Sequence, residues 1–243
     1  MPSPRPTEFP IWISLALLLG TLVLGEATPV DLIIQDRLRD PVTGTWMVDA
    51  TAPWPRLFFY DGPKLFIIAI GLALITLVAG PTRWRARLGV DRARLAAAVA
   101  VMALVPAFVG FIKARSDVFC PAQLTRYGGT EEVRRPFTPR PDGEQGARRG
   151  HCWPAGHASG GFALIGLALL ARSAPHRRAG MAAGLAVGWT MGLYQMLKGA
   201  HFLSHTLVTM LIACLFTAVL ARCLPPVDPA NATPSTMRPQ RRL

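Results

Sequence analysis

Charge is what this chain has least of. Asp, Glu, Lys and Arg make up 16% of its 243 residues, against about 25% in ordinary soluble proteins. Such a shortage argues against a fully solvated surface. Carboxylates are rarer than cations, 14 against 26. None stands at a spacing that would complete a metal site with the histidines, so a metal is not expected. Period-2 alternation is missing as well, which argues against strands. The net charge of +12 raises nucleic acid as a partner. However, the arginines cluster at the ends of apolar runs, as in TRWRARLGVDRAR, RSAPHRR and RPQRRL. They form no basic amphipathic helix and pair with no aromatic platform. Nucleic acid is therefore excluded, and these clusters are read as membrane flanks.

Apolar residues make up 51% of the chain and come in blocks. Six runs stand out: 11–25, 65–80, 95–112, 158–171, 180–197 and 202–220. They predict an all-α, polytopic membrane protein with six transmembrane helices in a bundle. Residues 1–222 form one domain, and 223–243 are expected to be a disordered cytoplasmic tail. The first run competes with a cleaved signal peptide, but Glu26 and Pro29 around Ala27 make a poor cleavage site, so a retained span is favoured. The basic residues divide almost evenly between the two sides. Eleven of the 14 acidic residues lie in loops 26–64 and 113–156, leaving those loops near neutral. Both termini are placed in the cytoplasm and the two long loops outside. Gly180, Gly184, Gly188 and Gly192 share one helix face, which predicts close backbone packing.

Three stretches meet where the runs reach the outer surface: KARSDVFCPAQLTRYGG, HCWPAGHASGG and YQMLKGAHFLSHTL. They hold His151, His157, His201 and His205, with Lys113, Lys198, Arg115 and Arg126. Only His176 lies elsewhere, in a cytoplasmic arginine cluster. Ionisable groups at membrane depth are costly and mark function. Cations with imidazoles suggest an anionic substrate. Pro154-Ala155-Gly156 turns the chain into a helix whose free amides suit a phosphate. His157 then stands beside that anion, ready to give a proton.

At these residues the sequence resembles the phosphatidic acid phosphatase type 2 and haloperoxidase superfamily, as a divergent bacterial membrane-associated branch. Lys113 and Pro121 match its first signature, Pro154, Gly156 and His157 its second, and His201 its third. The resemblance covers roughly 95–220. It implies that His201 is a nucleophile that becomes a phosphohistidine. It further implies that His157 protonates the leaving oxygen, that Lys113 holds phosphate oxygens, and that no cofactor or metal is needed. The function so implied is an integral membrane phosphatase acting on a phosphate monoester or pyrophosphate of a lipid. Its location would be the bacterial inner membrane, with the site facing the periplasm. Vanadate-dependent halide oxidation is a remote third possibility.

Three positions depart from the family. Cys120 and Gln195 stand where it has arginines, and His205 where it has an aspartate. Lys198, Arg115 or Arg126 are candidates to replace the arginines, although a lysine lacks the bidentate fork. A neutral His205 is a candidate to accept a hydrogen bond from His201. The substrate-binding set is therefore Lys113, Lys198, Arg126, Arg115, Gly156 and Gln195. A catalytically weakened lipid-phosphate binding or transport protein of the same fold is the alternative, and a metal held by His157, His201 and His205 is a minority one. Cys120 and Cys152 share one outer loop, which predicts a disulfide between them; the rival is two free thiols.

Overall fold

The structure is a computed structural model, and it describes residues 11–139 and 148–225. The expected tail lies almost wholly outside the described residues. Among the described residues nine α-helices follow in chain order: α1 Ile11–Ala27, α2 Val30–Asp36, α3 Pro53–Arg56, α4 Gly62–Ala79, α5 Thr82–Leu88, α6 Arg92–Arg115, α7 Gly156–Ala163, α8 Ala174–Leu197 and α9 Leu203–Cys223. A π turn, Leu57–Asp61, joins α3 to α4, and a 3-10 segment, Leu164–Leu170, extends α7. Among the described residues there are isolated bridges but no strand.

Local chemistry sets the helix ends. Asp91 caps α6, its carboxylate accepting from the Arg94 amide at 2.8 Å. Pro175 opens α8, where a missing N–H costs nothing. Gly199 closes α8 with φ +74°, a left-handed turn that suits glycine. That turn points the chain back across the bundle and delivers His201 two residues later.

Among the described residues three helices are long and apolar enough to cross a membrane: Pro53–Ala79, Arg92–Arg115 and Leu203–Cys223. The pair α1 and α2, bent by 74°, makes a fourth if it counts as one span. All six expected runs are helical, yet the count of six spans goes beyond what length and composition support. Gly156–Leu170 is short. In α8, glycines with Tyr194 and Gln195 dilute the apolar character. The helices are compatible with a multi-pass membrane protein. The outward-facing Leu65, Phe66 and Leu72 of α4 fit that setting.

The core lies between α6, α7, the 3-10 segment and α9, with Val101, Val105, Phe162 and Ala213 fully buried. α1 packs on α9 through Leu18 and Leu22 against Val208 and Ile212. The glycine face of α8 lies on α7 and its 3-10 extension. A Cβ at Gly180 would stand 2.9 Å from the Ala168 nitrogen, and at Gly184 and Gly188 it would meet Ile165 and Phe162 closer still. Small residues therefore allow backbone contact here. That contact fixes the register of α8, and with it Lys198 and His201. At the far end the buried Arg94 donates to the Leu169 and Pro225 carbonyls, at 3.1 and 3.0 Å.

Candidate active site

Three segments are stitched together at one end of the bundle. The Cys152 amide donates to the Val118 carbonyl at 2.8 Å, the Ala155 amide to the His205 carbonyl at 3.2 Å, and the Ala122 amide to the Gly199 carbonyl at 2.8 Å. Cys120 and Cys152 are joined by a disulfide, with their Cα atoms 5.2 Å apart. This bond ties the chain leaving α6 to the chain entering α7. From the other side, Asp31 of α2 accepts from the Ser204 amide at 2.9 Å and from its hydroxyl. It thereby holds the first turn of α9, a contact that the sequence reading missed.

His157 and His201 meet at this junction. His157 Nδ1 lies 3.2 Å from His201 Nε2. On its other side, His201 Nδ1 lies 3.4 Å from Cys152 Sγ. A sulfur already in a disulfide has no hydrogen to give, so it can only accept. This contact is a hydrogen bond in the tautomer with the His201 proton on Nδ1, which leaves Nε2 with a lone pair facing His157. Burial pushes the His201 imidazole well below the ordinary histidine range, and His205 and His157 push in the same direction. At neutral pH it is the free base.

His205 makes a different contact from the one expected. No hydrogen bond joins it to His201, and the two rings are 5.9 Å apart, edge to face. Instead, His205 Nδ1 donates to the Cys152 carbonyl at 3.1 Å. Cys152 thus stands between the two histidines, its sulfur toward one and its carbonyl toward the other. The sulfur and the two rings present ligand atoms within 4.8 Å of one another. While the bridge stands, that cluster offers two imidazoles and no thiolate, so it does not fit a metal centre.

Beside His157 opens a cavity of about 570 Å³ between α4, α6 and α7. Its polar end holds Lys113, His157, Gly156, Lys64 and Tyr60, and apart from Ser159 the rest is apolar, from Ile68 and Ile75 to Val99 and Met102. Lys64 to Ile75 span about 16 Å of helix. Lys113 reaches the N-terminus of α7, where a Cβ on Gly156 would lie 3.6 Å from its Nζ. Ammonium, free helix amides and the His157 imidazole converge there, with the buried His201 behind His157, which suits a phosphate.

The remaining candidates are placed differently. Lys198 flanks the site half-buried, its Nζ 4.7 Å from the centre of the Tyr194 ring. Burial holds its ammonium below the ordinary lysine range. Gln195 is 1% exposed, and neither its amide oxygen nor its nitrogen has a hydrogen-bond partner among the described residues. The two arginines do not line the cavity. Arg126 forms a bidentate pair with Asp36, at 2.9 and 2.7 Å. Arg115 folds back on Phe111, its guanidinium 3.6 Å from the ring centre. His151 is exposed and contacts the Lys113 carbonyl at 3.2 Å. Lys64 and Tyr60 went unnoticed in the sequence because they fall in none of the three histidine-bearing stretches. Their one signal was a lone lysine at the start of an apolar run.

No curated protein and no solved structure matches the chain. Residues 94–228 match the model of the PAP2 superfamily. That match takes in α6 from its first turn, both histidines and the whole of α9, and by it the chain belongs to the PAP2 superfamily.

Proposed function

We propose that the protein is a membrane phosphatase that removes phosphate from a lipid monoester or pyrophosphate through a phosphohistidine at His201. Membership of a superfamily of phosphatases and related hydrolases supports the reaction class. The observation that carries the finer reading is the His157–His201 pair at 3.2 Å, in which His157 lines the polar end of a largely apolar cavity and the buried His201 stands directly behind it. A phosphate head fits beside Lys113 and the α7 amides, and an acyl or prenyl tail fits along α4 and α6.

In the first step the substrate phosphoryl group takes the place of the hydrogen bond between the two imidazoles. His201 Nε2 attacks phosphorus, a P–N bond forms and the P–O bond to the lipid breaks. Burial, with Lys113, Lys198 and Lys64 nearby, pushes the pKa of the free His157 imidazole down to about 4. The proton it needs therefore arrives with the phosphate monoanion as substrate binds, and His157 passes it to the leaving oxygen. In the second step His157 takes a proton from water, whose oxygen attacks phosphorus. The P–N bond breaks, and inorganic phosphate leaves with His201 neutral again. Lys113 and the α7 amides offset the charge that builds on the phosphoryl oxygens. No step calls on a metal. The proposed location is the bacterial inner membrane with this site outside, where the disulfide is stable.

The experiment is a panel of phosphatidic acid, phosphatidylglycerol phosphate, polyprenyl pyrophosphate and lipid A, each offered to purified protein in chelator and scored for released phosphate. Release from at least one is expected. Binding without release would instead favour the weakened binding protein, a reading to which the outlying positions of Arg115 and Arg126 lend weight.

The pH profile follows from His201. Its folded pKa lies below its unfolded value of 6.5, so the free enzyme keeps it neutral until the pH falls well below that value. The acid limb of kcat/KM is therefore expected below pH 6.5. An acid limb above it would mean that His201 is not the base that attacks.

A further inference from the structure

The PAP2 match begins at residue 94, yet the cavity is walled on one side by residues that precede it. The π turn at Leu57–Asp61 feeds straight into α4. π turns rotate a helix locally and recur at functional sites. Tyr60 and Lys64 lie four residues apart and line the same cavity. The Tyr60 ring lies 5.3 Å from the His157 ring, centre to centre. Lys64 Nζ stands 5.9 Å from the centre of the Tyr60 ring. The neighbouring Phe59 stacks on Tyr194 at 6.0 Å, which docks this turn against α8 beside Lys198. Lys64 has no carboxylate partner among the described residues, since the nearby Asp61 pairs with Arg56 at 3.1 Å. Together with Lys113 and Lys198 it lies within electrostatic reach of His157.

We infer that Lys64 is a substrate-binding cation, and that with Tyr60 it forms the lipid-facing side of the phosphate site. This inference rests on the proposed phosphatase reading. It supplies, from outside the family-matched region, one of the charges that Cys120 and Gln195 no longer provide. The arrangement has a physical logic. A lipid entering sideways between α4 and α6 meets Lys64 first, and its phosphate then passes Tyr60 to reach His157. A lysine suits that edge, because its long stem stays in the apolar wall while its charge reaches the head group.

The test measures inorganic phosphate affinity by titration calorimetry on the purified full chain, alongside lipid-phosphate turnover. The variants are Lys64→Gln, Lys64→Arg and, as a control at the opposite end of the bundle, Arg83→Gln. Melting temperatures verify that each variant folds. Lys64→Gln is expected to weaken phosphate binding by about tenfold. It should raise KM by a similar factor while leaving kcat within about twofold. Lys64→Arg should restore most of the affinity, and Arg83→Gln should change neither quantity. If wild type turns over lipid phosphate and Lys64→Gln binds phosphate equally well, the inference fails and the phosphatase reading stands. If wild type binds phosphate without turnover and Lys64→Gln weakens that binding, the inference stands and the phosphatase reading fails. A wild-type chain that neither binds phosphate nor releases it from lipid would overturn both.

Discussion

His201→Ala is expected to abolish phosphate release, with a fall in kcat of about 10⁴-fold or more. The reason is local. With its proton on Nδ1, directed at Cys152 Sγ 3.4 Å away, His201 has a free lone pair on Nε2. His157 lies 3.2 Å from that lone pair. His157→Ala removes the proton donor but leaves the nucleophile, so a loss of about 10²–10⁴-fold is expected. That loss should shrink for a substrate with an acidic leaving group such as a nitrophenyl phosphate, since such an oxygen needs no proton. Equal losses in His157→Ala for both substrates would show that His157 acts only in binding. The two variants together are expected to lose little more than His201→Ala alone, because both serve the same step. Both side chains sit close to the core, so melting temperatures should accompany the rates.

Loss of the Cys120–Cys152 bridge is the second large expected effect. The two residues are 32 apart in sequence. On the chain-entropy account, a bridge closing a loop of that size contributes roughly 3–4 kcal/mol. The double variant Cys120→Ser with Cys152→Ser should therefore melt at a lower temperature. Its activity should fall further than the melting shift explains. Cys152 faces His201 with its sulfur and accepts from His205 with its carbonyl, at 3.1 Å. The bridge also anchors the strand of chain that follows Lys113. A serine at 152 can turn its hydroxyl either to donate or to accept, so His201 would no longer be held to one tautomer. The check is kcat measured well below the melting point of the variant. A variant that melts earlier but turns over at the wild-type rate would confine the bridge to stability.

How far the sequence could be read depended on where each signal lay. Apolar blocks placed all six long helical segments, since a run of apolar residues in this composition leaves few other options. The number of spans was harder. The short Gly156–Leu170 segment and the glycines of α8, with Tyr194 and Gln195, leave two of the six runs short of the length or apolar character of a span, although their helices form. The His157–His201 meeting was legible because order and spacing around Lys113, the Pro-Ala-Gly-His turn and Gly-Ala-His carry it. Cysteine pairing was legible because Cys120 and Cys152 share one loop, while Cys214 lies within α9 and Cys223 at its end. Arg126 was misplaced for a plain reason: its carboxylate partner, Asp36, is 90 residues away. No local pattern announces such a pairing. The contact of His205 was hidden similarly, because its partner is the Cys152 backbone carbonyl, and any residue could have supplied one. Lys64 escaped because its position at the cavity depends on the π turn at Leu57–Asp61, which no periodicity in the sequence announces.

The central claim is covalent transfer of phosphate to His201, and trapping tests it most directly. Purified protein would be mixed with the radiolabelled lipid phosphate that it hydrolyses fastest, and quenched in alkali within one turnover. A phosphohistidine survives alkali and is lost in acid. The account predicts label that is alkali-stable, acid-labile and mapped to the peptide containing His201, and absent from His201→Ala. Phosphate release without any protein-bound label, or label on another residue, would contradict it.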